Sequence, residues 1–122
     1  FSEANSFNQP LNTWNVSNVT NMKCMFDHAT SFNQPLNNWN VSNVTDMENM
    51  FRENMFPGDM LHNAHAFNQP LSNWNVSNVT NMNGMFYSAK SFNQPLNTWD
   101  VSNVTDMSYM FGGTKSFNQP LN

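Results

Sequence analysis

The sequence predicts an α/β solenoid of stacked coils, each a short strand followed by a short helix, with an all-β solenoid as the alternative. Three observations predict it. One phrase returns at a nearly fixed interval, its apolar residues switch from a two-residue to a three- and four-residue spacing, and asparagine recurs at set places in each copy.

The interval comes first, because a fixed period of this length marks a repeat architecture. The Phe of Phe-Asn-Gln-Pro-Leu stands at Phe7, Phe32, Phe67, Phe92 and Phe117, in steps of 25, 35, 25 and 25. The copies are 6–30, 31–65, 66–90 and 91–115, with partial copies at 1–5 and 116–122. The long step reflects an insertion at about 52–61. Both ends fall inside a copy, and neither carries the polar capping unit of a finite array. The chain is therefore expected to be a window of a longer array.

The second copy shows the expected elements in order. Pro35 has no N–H and stands where a strand can begin. Trp39 and Val41 are two apart, the strand period. Ser42-Asn43 is a turn. Val44, Met47, Met50 and Phe51 follow at the spacing of a short helix, and Thr45 with Glu48 forms a capping box at its start. Thr20, Thr80 and Thr105 occupy the same place in the other copies.

A single copy is too small to bury its apolar face, so the copies must stack, each strand pairing with the next at ~4.8 Å. Like residues then form columns. Trp14, Trp39, Trp74 and Trp99 are expected to make one, and Met22, Met47, Met82 and Met107 another. Asparagine can donate and accept at once, so buried ladders are expected at Asn8, Asn33, Asn68, Asn93 and Asn118 and at Asn18, Asn43, Asn78 and Asn103.

The phrase Phe-Asn-Gln-Pro-Leu-Asn-x-Trp-Asn-Val-Ser-Asn-Val-Thr-x-Met-x-x-Met-Phe resembles the repeat of the BspA-like leucine-rich-repeat surface proteins, across nearly the whole chain. The resemblance implies leucine-rich-repeat-like coils with Leu36, Trp39 and Val41 at the strand positions. It also implies a cell-surface or extracellular protein that adheres to matrix or to other cells, with no catalytic activity.

Composition excludes other classes. Four Lys and Arg (Lys23, Arg52, Lys90 and Lys115) are scattered singly in a chain of net charge −4, so there is no footprint for nucleic acid. No apolar run reaches the ~18–20 residues that span a bilayer. Cys24 is the single cysteine, which rules out an intrachain disulfide.

Chemistry has few places to reside. Cys24 and His28 would share a helical face, but neither recurs. His62 and His65, with Glu53 and Asp59 near, are weak metal candidates, since His-x-x-His alone is a poor signal. In the insertion, Met55, Phe56, Met60 and Leu61 are candidate partner contacts. The Asn-x-Ser/Thr sequons at Asn15, Asn18, Asn40, Asn43, Asn75, Asn78 and Asn103 read better as turn and ladder residues than as glycan acceptors.

No cofactor is implied. The slots of Lys23, Cys24, Asp27, His28 and Thr30 vary between copies and are expected to form a solvated outer face. The strand-side slots Asn12, Thr13, Asn37, Asn38, Ser72, Asn73, Asn97 and Thr98 stay small, polar and uncharged, and form the candidate binding face.

The reading is a non-enzymatic scaffold for adhesion or for protein or glycan interaction. The alternative is a structural stalk, fibre or coat element that self-associates, so other repeats of the same protein are also candidate partners. An ice- or crystal-binding face would need a flat exposed rank of Thr20, Thr45, Thr80 and Thr105, which the capping assignment opposes.

Overall fold

The computed structural model describes residues 1–53 and 66–112. Among them there is no helix, and strand pairing is confined to three isolated parallel bridges, Asn21 to Asp46, Asp46 to Asn81 and Asn81 to Asp106. The expected strand-plus-helix coil is therefore wrong, and so is the all-β alternative. The coils do lie on one another, but each is built almost wholly from turns.

The expected strand is occupied by two turns. Trp39 N–H closes on Leu36 at 3.0 Å, and Val44 N–H closes on Val41 at 3.0 Å. Trp39 and Val41 thus alternate across a junction between turns, which leaves the same two-residue spacing as a strand.

The expected helix is a run of turns as well. Met50 N–H closes on Met47 and Arg52 N–H on Asn49, both at 3.2 Å, an i to i+3 closure that reproduces helical spacing of the apolar residues. The intervening amides leave the coil. Met47, Asn49, Phe51 and Glu53 donate to Asn81, Asn83, Met85 and Tyr87 of the next coil, at 2.8–2.9 Å. Donation thus alternates between local and neighbouring partners, which satisfies backbone groups as a helix or a sheet would.

These turns demand a left-handed residue. In each Met-x-x-Met turn the third residue has positive φ: Cys24 59°, Asn49 55°, Gly84 63° and Tyr109 59°. The following Phe-x-x-Ala turn repeats this at Glu3, His28 and Ser88. Positive φ at the third position is the signature of a type II turn, which favours Gly or Asn there.

The capping box is also overturned. Thr45 Oγ1 donates to Thr20 O at 3.3 Å, and Glu48 pairs with Lys23 at 2.9 Å. The turn is instead held by the residue after the threonine, where Asp46 Oδ1 accepts from Glu48 N–H at 2.9 Å. Asn21, Asn81 and Asp106 make the same Asx turn.

The core is a row of stacked rings. Phe26, Phe51, Phe86 and Phe111 follow each other at 5.6–5.7 Å with planes within 7° of parallel. Phe7, Phe32, Phe67 and Phe92 make a second column at 5.9–6.1 Å. The columns interlock, with Phe26 against Phe32 at 4.3 Å and Phe86 against Phe92 at 4.1 Å. Leu36, Met47, Met50, Leu71, Met82 and Met85 are wholly buried beside them, each contributing about 1.5–3 kcal/mol.

Candidate functional site

Many polar side chains join coil to coil. Asn33 N–H donates to Asn8 Oδ1 at 2.9 Å, Asn68 N–H to Asn33 Oδ1 at 3.0 Å and Asn93 N–H to Asn68 Oδ1 at 2.8 Å. In the second rank the amides of Asn43, Asn78 and Asn103 donate to Ser17, Ser42 and Ser77 carbonyls at 2.7–2.8 Å. These ranks lie at the surface or half-buried, not in the core. Asn118 lies outside the described residues.

Tryptophan does the same inside. The indole N–H groups of Trp39, Trp74 and Trp99 donate to Leu11, Leu36 and Leu71 of the preceding coil at 2.8–2.9 Å, and these rings are buried. Trp14 is 49% exposed. Met22, Met47 and Met82 are buried, whereas Met107 is 42% exposed.

The proposed binding face is exposed at Asn12, Thr13, Asn38, Asn73, Asn97 and Thr98, and half-buried at Asn37 and Ser72. It too is cross-linked along the stack. Asn38 Nδ2 donates to Asn12 O at 3.2 Å, Asn73 N–H to Asn37 Oδ1 at 2.9 Å and Thr98 Oγ1 to Ser72 O at 2.9 Å. The threonine rank is exposed rather than capping, but Thr80 and Thr105 spend their hydroxyl protons on the preceding Thr carbonyl, at 3.2 and 3.1 Å.

The variable slots do not form a simple solvated face. Asp27, Thr30, Glu53 and Ser88 are buried there. Asp27 accepts Arg52 Nε and Nη2 at 2.9 and 2.7 Å, a bidentate pair between adjacent coils, and His28 Nδ1 lies 2.8 Å from Asp27 Oδ1. Burial, with the Asp27 charge second, pushes the Glu53 carboxyl up to about 8. The same two causes in the same order push the Cys24 thiol up, opposite to what a nucleophile requires. Among the described residues no three His, Cys, Asp or Glu are arranged to hold a metal ion.

Farther along this face the pattern opens. Asn49, Arg52, Asn83, Gly84, Tyr87 and Tyr109 line a pocket of about 200 Å³. Two glycines make the room. A Cβ at Gly84 would run into Asn49 Oδ1, and one at Gly112 would meet the Tyr87 ring at 2.8 Å.

A family model described as "Mycoplasma protein of unknown function, DUF285" matches residues 1–59 and again residues 53–122. The chain belongs to the DUF285 family. No curated protein and no solved structure matches it. The two DUF285 matches overlap at 53–59, where the chain enters the insertion. His62, His65, Met55, Phe56, Met60 and Leu61 all lie outside the described residues.

Within this DUF285 chain, the pocket is the site that sequence reading missed. Its six residues come from three copies and share no motif. The one available signal was that Gly84 stands where the other copies carry Cys24, Asn49 and Tyr109.

Proposed function

We propose that this DUF285 chain is a non-enzymatic scaffold for adhesion or for protein or glycan interaction, working at the cell surface or outside the cell. The observation that carries this reading is the exposed rank of Thr13, Asn38, Asn73 and Thr98. It repeats small polar groups once per coil, with hydrogen bonds running from coil to coil. A surface of that kind matches a partner with its own repeat, such as a glycan or a second array. It lacks the Trp, Tyr and Arg anchors that dominate compact protein epitopes.

The finer kinship with the BspA-like surface proteins rests on the repeated phrase alone, and only their adhesive role enters here, not their coil geometry. A catalytic reading has little support: burial pushes the Cys24 thiol up, away from the thiolate a nucleophile needs, and Asp27 and Arg52 neutralise each other. Lys23 is likewise paired with Glu48, and the four Lys and Arg are scattered singly along the sequence, which opposes a track for a phosphate backbone.

The test is retention on immobilised glycans and matrix proteins. Retention on at least one class is expected, and no retention across both would remove the reading. Ordered filaments in electron micrographs without any retention would favour the structural alternative.

A further inference from the structure

We propose that the pocket between Tyr87 and Tyr109 is a subsite for one neutral sugar ring, a proposal that rests on the scaffold reading above and narrows its ligand.

Shape is the first argument. Tyr87 and Tyr109 meet edge to face, with centroids 6.2 Å apart and planes at 70°, so the rings form a corner. Column composition builds that corner. Asn49, Gly84 and Tyr109 succeed one another in one column, and Arg52, Tyr87 and Gly112 in the next. At about 200 Å³ the space falls below the ~300–1,000 Å³ typical of drug-sized ligands, and suits a single ring.

Tyr109 itself is the second argument. It is 71% exposed and holds φ at 59°, a region in which bulky residues are rare. Burial does not offset that strain, and Asn49 meets the same backbone demand in the neighbouring coil with a residue suited to it. The turn fixes that φ in every coil, so what Tyr109 adds to the slot is an exposed ring beside the pocket.

Chemistry selects the class. Exposed tyrosine rings offer an apolar face to C–H groups and a hydroxyl at the tip. The side chains of Asn49 and Asn83 supply donors and acceptors together. Arg52 gives two of its N–H groups to Asp27, and Asn83 Nδ2 donates to Asp106 at 3.3 Å, so the pocket holds no uncompensated cation for an anionic ligand. A pyranose, with one C–H face and a rim of hydroxyls, meets all three conditions.

The experiment follows backbone amides of the full chain by NMR during titration with methyl glycosides of glucose, galactose, mannose and N-acetylglucosamine. At least one glycoside is expected to shift Gly84, Tyr87 and Tyr109 saturably, with a Kd on the order of 1 mM. Tyr109→Ala should weaken that binding about 2- to 10-fold while the Asn38 and Asn73 amides stay in place. Gly84→Ala, which crowds Asn49, should also weaken it, and Tyr109→Ala keeps the test valid if that variant does not fold.

No shift at these amides with any glycoside overturns the proposal, as does stronger displacement of them by inorganic sulfate. Glycoside shifts of Gly84 and Tyr87 that Tyr109→Ala leaves unweakened overturn the pocket but leave the scaffold standing. Loss of all glycan and matrix retention in the parent chain would remove both.

Discussion

Phe51 and Phe67 stack with centroids 4.2 Å apart across a chain interval of 16 residues, matching Phe26 and Phe32 at 4.3 Å across an interval of 6. The coil closes on the same ring pair whatever length of chain joins its ends. Closure is therefore set by the phenylalanine columns and by the hydrogen bonds on either side of them.

Removing Asn54–Asn63 restores the short interval and brings Ala64 into the place of Ala29 and Ala89. Loop-closure entropy changes by only about 0.6 kcal/mol per doubling of length. The shortened chain should unfold in urea within about 1 kcal/mol of the parent. Failure to fold would show that the insertion holds the coils together.

The tryptophan column should respond unequally. Trp74→Phe removes one of two donors to the buried Leu36 carbonyl, which keeps Trp39 N–H, and opens a small cavity, a loss of roughly 1–3 kcal/mol. Trp14→Phe, at a half-exposed ring, should cost less than about 1 kcal/mol. Equal losses in chemical denaturation would contradict the coil-to-coil role of the indole N–H.

Stability should depend on pH through Glu53. Its folded value of about 8 lies above the ordinary 4.5, so the folded state holds this proton more tightly. That contribution is complete below the ordinary value and is lost as pH rises through about 8. Between those limits stability should fall by up to about 1.4 kcal/mol per pH unit, and Glu53→Gln should flatten the profile.

Asp100 and Asp106 act in the opposite sense, because hydrogen bonds from Ser102 and Ser108 hold them below the ordinary 3.8. Their contribution disappears only in more acidic solution. A pH titration of unfolding free energy separates the two ranges.

Tyr109→Asn should not destabilise the chain. Asn tolerates the left-handed backbone, little buried surface is lost, and relief of strain should add about 1 kcal/mol. A melting temperature well below the parent's would mean that the fold itself needs the tyrosine.

The repeat period was readable because Phe-Asn-Gln-Pro-Leu returns almost unaltered, and a period states which residues share a column. Local geometry was not readable, for a physical reason. Successive i to i+3 turns place Val44, Met47, Met50 and Phe51 at intervals that a helix would also produce. The sign that separates the two is a left-handed residue in every Met-x-x-Met turn. Gly84 and Asn49 signal it, but Cys24 and Tyr109 occupy the same slot without doing so. Thr45 and Glu48 misled in the same way, since a capping box and an Asx turn at Asp46 use neighbouring residues. The pocket was hidden because Arg52, Tyr87 and Tyr109 meet only after three coils have stacked.

The alternation of backbone donors is the feature on which the account depends, and NMR couplings transmitted across hydrogen bonds observe it directly. They should connect Met47 N–H with the Asn81 carbonyl and Phe51 N–H with the Met85 carbonyl, both across the insertion. Couplings from these amides to carbonyls four residues earlier in the same coil would contradict the account and restore the helix.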